Sequence, residues 1–141
     1  MKKLFILINV LLILRCNSCK SNIPLADCSV DTSGTFKFIQ IEVRNKSNPN
    51  ESKVIVRGSK EHYYHNDIYR NFVDKLRTNS KDLYNNYSFT VLGGGYITVY
   101  PYRVEIYGAS SRYGSCNNQL TKTLLKGCFP DSYKIENDSI Y

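Results

Sequence analysis

Between residues 36 and 78 the spacing of apolar side chains changes from every second residue to every third or fourth. The segment FKFIQIEV, residues 36–43, alternates apolar and polar side chains except at Ile39, which is the pattern of a β-strand. KVIVRG, residues 53–58, predicts a second strand. Over residues 66–78 the apolar positions have helical spacing. They are Ile68, Phe72, Val73 and Leu76.

The rest of the chain adds strands and a second helix. YSFTVLGGG at residues 87–95 and YITVYPYRVEIYG at 96–108 are predicted as strands, the second of them turning at Pro101. A helix is predicted over residues 117–126, with a glycine and a proline following it. YKI at residues 133–135 predicts a short last strand. We therefore expect an α/β fold: a single domain with a mixed sheet of five or six strands and two helices.

Residues 1–20 are predicted to lie outside this domain, which would occupy residues 21–141. The first fourteen residues, MKKLFILINVLLIL, place two lysines before an apolar run that only Asn9 interrupts, and this is typical of a secretory signal. The run is too short to cross a bilayer, which needs about 20 apolar residues. We expect a signal-like leader, secretion of the domain and no stable membrane span.

The basic charge is spread along the chain. The formal net charge is +7, but Lys2, Lys3 and Arg15 belong to the leader, so a chain that starts near Lys20 carries about +4. The remaining basic residues are interspersed with acidic ones, whereas a nucleic-acid-binding surface shows a cluster or stripe. We predict no nucleic-acid partner and a moderately basic site for a small anion.

Three of the five cysteines fall in the predicted domain: Cys28, Cys116 and Cys128. Cys116 and Cys128 flank a predicted helix of about 12 residues, or roughly 18 Å, and a disulfide requires Cα atoms within about 7 Å. We predict no bond between these two; Cys28 can pair with either one and leave the other free. Cys16 and Cys19 form a lone CxxC, which does not complete a zinc site.

Both histidines precede the predicted first helix, for which Asn66 is the expected N-cap. His65 would lie where free backbone N–H groups and the helix dipole attract an anion. That field disfavours a protonated imidazole, so His65 is expected to be neutral near pH 7 and able to act as a base or nucleophile. A purely structural histidine is the alternative. His62 is expected at the surface, and without a third histidine we predict no metal site.

Three consecutive glycines, Gly93, Gly94 and Gly95, end one predicted strand. Glycine permits close approach of another backbone. No Gly-Lys-Ser/Thr follows, so this is not a phosphate-binding loop. A bulge or bend is predicted instead, with a structural role near the site.

Taken in order, the segments GTFKFIQIEV, SKVIVRG, YHNDIY, LGGG, IYGASSRYG and FPD resemble the phosphohistidine phosphatase family, also called Janus/Ocnus. The resemblance runs from about Ile23 to Tyr141. It implies a metal-independent protein phosphatase that uses no cofactor and hydrolyses the phosphoramidate bond of phosphohistidine in proteins. We expect a monomer. The usual member is intracellular, so the protein is expected in the cytoplasm if the leader is not a signal.

The resemblance also implies roles for individual residues. His65, inside the YHNDIY segment, is the implied catalytic base or nucleophile, with Tyr64 and the glycine run as structural neighbours. The implied substrate-binding residues are Lys37, Arg57, Ser110, Ser111 and Arg112.

The sequence departs from the family pattern at two positions of the implied site. Tyr96 stands where the family commonly has an arginine, so a charged bidentate donor is lost. Arg112 stands where the family tends to have a small residue, and it either restores that charge or blocks the site. The alternative prediction is therefore a secreted binding protein on the same fold that recognises anionic partners with little or no catalysis.

Overall fold

The computed structural model describes residues 21–138, which form one six-stranded sheet and three helices. The elements are β1 (Cys28–Ser29), β2 (Gly34–Asn45), β3 (Ser52–Ser59), α1 (His65–Asn79), α2 (Lys81–Asn86), β4 (Tyr87–Tyr100), β5 (Arg103–Tyr107), α3 (Asn118–Leu125) and β6 (Lys134–Asn137). The strand order is β1-β3-β2-β4-β5-β6. Only β1 and β6 run parallel to their neighbours. The predicted α/β fold with a mixed sheet is confirmed.

The predicted leader lies outside the described residues. Between residues 21 and 138, none of the helices has the length and apolar character needed to span a membrane.

Helices cover both faces of the sheet, which explains the irregular alternation in β2. Ile39, Ile41 and Val43 pack on the face covered by α1. Phe36 and Phe38 pack on the opposite face, beneath α3. All five side chains are buried. A strand that is buried on both faces does not alternate strictly between apolar and polar residues, so the apparent exception at Ile39 marks a two-sided core.

The glycine run lies inside a single long strand rather than at the end of one. β4 continues from Tyr87 to Tyr100 and pairs with β2 along its length, so the predicted boundary after Gly95 is wrong. The register shifts between Gln40 and Ile41, opposite Leu92, and this is the expected bulge. A Cβ atom on Gly94 would lie 2.5 Å from the carbonyl oxygen of Phe38. The two strands can therefore pair at this point only because Gly94 has no side chain.

Helix α1 begins earlier than predicted. His65 is its first residue and Tyr64 is the N-cap, so the predicted cap at Asn66 is wrong. The carboxylate of Asp67 accepts the backbone N–H of Tyr64 at 3.3 Å and caps the helix from its first turn. The Asn66 side chain has a different partner, the hydroxyl of Tyr113 at 2.7 Å.

The remaining predicted elements appear with small shifts, and two short elements were not predicted. Helix α3 is capped by Asn117, whose side chain accepts the N–H of Leu120 at 3.0 Å. β6 is the short last strand. β1 has two residues and α2 has six, too few for a hydrophobic period to show.

The cysteines follow the prediction. Cys28 and Cys128 form a disulfide with a Cα–Cα distance of 5.9 Å, and Cys116 is free and half-buried. The bond fastens β1 to the segment that follows α3. Cys16 and Cys19 lie outside the described residues.

Candidate functional site

A cavity of about 320 Å³ lies where the start of α1 meets β2, β4 and the loop after β5. Its walls carry His65, Lys37, Ser111 and Arg112, four of the residues implied by the family resemblance. The fold thus gathers side chains that are more than 70 residues apart in the chain. The other lining residues are Tyr64, Asn66, Asp67 and Tyr96.

His65 is held by a backbone carbonyl. Its side chain is buried, and Nε2 lies 2.8 Å from the carbonyl oxygen of Gly95. A carbonyl only accepts hydrogen bonds, so Nε2 carries the proton and Nδ1 of the neutral ring carries the lone pair. Residues 21–138 make no hydrogen bond to Nδ1. This is the arrangement of a base or nucleophile.

The imidazole of His65 favours its neutral form. Burial lowers the pKa of His65 below its ordinary value of 6.5, and the charge of Lys37 acts in the same direction. The hydrogen bond to Gly95 opposes them with a smaller effect than burial. The main cause is therefore desolvation rather than the helix dipole invoked from the sequence.

Lys37 lies at the edge of the cavity. Its Nζ donates a hydrogen bond to the carbonyl oxygen of Tyr63 at 2.5 Å. The same atom is 5.0, 5.7 and 5.9 Å from the ring centroids of Tyr63, Tyr64 and Tyr96. These distances are within the range of cation–π attraction. One carbonyl and three aromatic rings thus position the ammonium beside the cavity.

Tyr96 occupies the position at which the family pattern has an arginine. In the sheet it lies between Lys37 on β2 and Tyr107 on β5. Its ring stacks on Tyr107, with centroids 5.7 Å apart, and meets the His65 ring edge-on at 5.6 Å. Gly108, at φ +69°, makes room for this ring, because a Cβ there would lie 2.8 Å from Tyr96 Cδ2. Tyr96 is therefore a fixed wall of the site.

The loop after β5 is attached to the sheet through its backbone. Ser110 N–H donates to the carbonyl of Gly94 at 3.1 Å, and Gly94 N–H donates to the carbonyl of Gly114 at 3.1 Å. The Ser110 hydroxyl is buried and accepts the N–H of Tyr113 at 3.1 Å. Ser110 thus holds the turn and does not line the cavity. Ser111 and Arg112 are exposed on it.

Arg57 lies in a different cavity from His65. It lines a space of about 340 Å³ together with His62. Its guanidinium donates to the carbonyls of Ala26 at 3.0 Å and Val56 at 2.9 Å. Burial lowers the pKa of Arg57 to about 10, partly opposed by Asp27. The group is still charged at neutral pH, and its hydrogen bonds go to backbone carbonyls.

The two histidines are divided between these cavities. His62 lines the one that holds Arg57, and His65 lines the one that holds Lys37. In the described part of the chain, no three His, Cys, Asp or Glu side chains are grouped as a metal site requires.

Sequence reasoning missed three contacts that shape the site. They are the carbonyls of Gly95 and Tyr63, which hold His65 and Lys37, and the bond between Tyr113 and Asn66. The first two are backbone contacts and have no side-chain pattern. The third joins residues 47 positions apart.

The fold and the site together define a class: an α/β domain in which a neutral histidine, an ammonium group and a backbone-anchored loop surround one cavity. The family model of the Janus/Ocnus family matches residues 21–133. The chain belongs to the Janus/Ocnus family.

Named relatives align over most of the chain. The chain is 32% identical over 113 residues to a 14 kDa phosphohistidine phosphatase of Sus scrofa, covering 76% of this chain and 85% of the relative. It is 31% identical over 113 residues to the protein of the same name in Homo sapiens, covering 76% and 86%. It is also 31% identical over 121 residues to sex-regulated protein janus-A of Drosophila pseudoobscura pseudoobscura, covering 82% and 75%.

Proposed function

We propose that this protein is a phosphatase that hydrolyses phosphohistidine in proteins, with His65 as the catalytic residue. The observation that carries the proposal is the hydrogen bond from His65 Nε2 to Gly95, which leaves Nδ1 without a hydrogen bond from residues 21–138, in a residue that lines the same cavity as Lys37. The two relatives named phosphohistidine phosphatase support it. The relative named janus-A has no activity in its name.

The cavity offers suitable groups for a phosphoryl anion. Lys37 supplies a positive charge, and the first turn of α1 supplies backbone N–H groups at the positive end of the helix dipole. The backbone N–H groups of Ser111 and Arg112 make no hydrogen bonds within residues 21–138. Arg112 adds an exposed side chain with a second positive charge to the lining of the cavity. Positioning and charge stabilisation of this kind supply most of phosphoryl-transfer catalysis.

Hydrolysis needs one proton transfer at the attacking side. As a base, Nδ1 of His65 takes a proton from water while the water oxygen bonds to phosphorus. The P–N bond breaks, and its electron pair returns to the substrate imidazole nitrogen. A substrate ring protonated on its other nitrogen then leaves as neutral imidazole, so no general acid is required. As a nucleophile, Nδ1 attacks phosphorus directly, and water hydrolyses the phosphorylated His65 in a second step.

The deciding experiment measures phosphate release from a chemically phosphorylated, histidine-containing protein by the wild-type chain and by His65→Ala. Release by the wild type that EDTA does not reduce, and that the variant loses, supports the proposal. A chelator-sensitive activity restored by zinc contradicts its metal-independent form. Acid-labile phosphate on the wild-type chain after a single turnover identifies the nucleophilic route, and its absence identifies the base.

A second candidate function is the recognition of anionic partners without efficient turnover. The observation in its favour is Tyr96, whose stacked ring occupies the position of the family arginine. Calorimetric titration with a stable phosphohistidine analogue distinguishes the two functions. Binding by a wild type that releases no phosphate selects the binding protein.

We also propose that the domain works outside the cytoplasm and as a monomer. The disulfide between Cys28 and Cys128 favours an oxidising compartment. With a C-terminal tag, the full chain is expected in the culture medium, and a chain lacking residues 1–20 is expected inside the cell. Equal distribution of the two forms contradicts secretion. Light scattering after size-exclusion chromatography measures the oligomeric state.

A further inference from the structure

A second cavity adjoins the catalytic one. It encloses about 460 Å³ and shares Lys37 and Tyr96 with the cavity of His65. Its remaining walls come from the start of β2 and from residues 59–63. His65, Ser111 and Arg112 do not line it. The two cavities are therefore neighbours, with Lys37 and Tyr96 in the wall of each.

The direction of phosphoryl transfer gives this second cavity a role. The attacking and leaving atoms lie roughly in line, on opposite sides of phosphorus. When His65 is on the attacking side and Lys37 holds the phosphoryl group, the leaving nitrogen points away from His65. The space beyond Lys37 and Tyr96 is the second cavity.

The walls of this cavity offer aromatic surface to a flat ring, beside the charged side chains of Lys37, Lys60 and Glu61. The Tyr63 side chain is 75% exposed although its ring meets both Lys37 and Tyr64. Tyr96 is fixed by its stack on Tyr107. Aromatic faces attract planar rings and cations. The imidazole of phosphohistidine is planar and becomes cationic on protonation, whereas the side chain of phospholysine has no flat surface.

We propose that this second cavity is the subsite for the imidazole ring of the substrate, with Tyr63 and Tyr96 as specificity-determining residues. The inference rests on the proposed function and adds the residues that recognise the leaving group. Tyr63 is the residue to test, because Tyr96 also contacts His65. The contact of Tyr63 with Lys37 affects the phosphoryl group of any substrate, so it cancels in a ratio between two substrates.

The test compares two substrates that differ only in the leaving group: a phosphohistidine peptide and the phosphoramidate anion, which has no ring. The readout is the ratio of their kcat/KM values. We expect Tyr63→Ala and Tyr63→Leu to lower this ratio by about 3- to 10-fold, the usual effect of one aromatic contact. Tyr63→Phe keeps the ring and should keep the ratio. Tyr102→Ala is the matched control, since Tyr102 is 67% exposed and lies in the turn after β4.

The outcomes separate this inference from the proposed function. A lower ratio for Tyr63→Ala and Tyr63→Leu, but not for Tyr102→Ala, supports the subsite. An unchanged ratio in a folded Tyr63 variant overturns the subsite and leaves the phosphatase in place. A wild type that hydrolyses neither substrate overturns the proposed function and the subsite with it. Circular dichroism shows that each variant is folded.

Discussion

His65 Nε2 donates to the carbonyl oxygen of Gly95 at 2.8 Å, so the main chain of β4 sets the tautomer of the candidate catalytic residue. Many catalytic histidines rely on a carboxylate for this purpose. The hydrogen bond to a carbonyl raises the pKa of His65, but burial outweighs it, and no full negative charge is added beside the ring. The neutral form of the imidazole is therefore favoured, in a residue that lines the same cavity as Lys37.

Replacing His65 with alanine is expected to reduce phosphoramidate hydrolysis by at least about 10²–10⁴-fold, the usual contribution of a general base. A larger loss is expected if His65 is the nucleophile. His62→Ala is the matched control and should be nearly silent on the phosphoramidate anion, because His62 lines only the neighbouring cavities and not the one that holds His65. Steady-state kinetics on both variants makes the comparison. Equal activity of wild type and His65→Ala would rule out the assigned role.

The pH dependence follows from the lowered pKa of His65. Hydrolysis should fall on the acid side, with a midpoint below 6.5, because the protonated ring has no free lone pair. The free energy of unfolding should also decrease as the pH falls. The unfolded chain binds this proton near pH 6.5 and the folded chain only at lower pH, so the free energy of unfolding decreases as the pH drops below 6.5. Denaturant titrations should show a weaker decrease for His65→Ala than for wild type.

Gly94→Ala should disturb the site through the backbone. The new Cβ would lie 2.5 Å from the carbonyl oxygen of Phe38 and 3.0 Å from His65 Cδ2. We expect a loss of about 1–3 kcal/mol in the free energy of unfolding, together with reduced activity. Gly127→Ala is the control, because its Cβ would meet nothing closer than 3.4 Å. Thermal unfolding that is the same for both variants would contradict the close approach.

Arg57→Gln distinguishes a structural arginine from a substrate-binding one. The guanidinium bonds two carbonyls, one of them in the segment before β1. We expect the free energy of unfolding to fall by about 1–3 kcal/mol, with kcat/KM changed by no more than about twofold. Lys37→Ala should show the reverse, with activity lost and stability retained. A large rise in KM for Arg57→Gln would instead show that Arg57 binds substrate.

Reduction of the disulfide should destabilise the domain. Cys28 and Cys128 are 100 residues apart, so the bond closes a long loop in the unfolded chain. Loss of such a bond typically costs about 2–5 kcal/mol. Non-reducing peptide mapping should recover the Cys28–Cys128 peptide. Cys116 should react slowly with alkylating agents until the protein unfolds, because burial raises the pKa of its thiol. Rapid labelling of Cys116 in the folded protein would be the contrary result.

The sequence predicts the elements with long hydrophobic periods and misses those defined by pairing. β2, β3 and α1 are each eight residues or longer, and their patterns identify their type and place their ends to within about two residues. β1 is a strand only because two of its residues pair with β3. Local patterns also place the start of α1 at Asn66, because a good N-capping side chain is a local signal. The partner of Asn66 is Tyr113, which no local pattern reveals.

The sequence predicts most of the side chains that line the cavity. It does not predict the backbone groups that hold them in place. His65, Lys37, Ser111 and Arg112 come together as the family resemblance implies. Arg57 comes close in sequence to His65 but faces another cavity, because its side chain packs beside Phe72. The support from Gly95 depends on strand register, which motif spacing does not specify.

The attachment of residues 110–114 to the sheet determines which positions of the site tolerate substitution. Gly94 binds that loop by main-chain bonds to Ser110 and Gly114 alone, so the identities of the exposed side chains at 111 and 112 are not needed to hold it. Those two positions can be exchanged while the histidine and its carbonyl stay in place. The loop can therefore carry different side chains on one wall of the cavity while the frame around His65 is inherited unchanged.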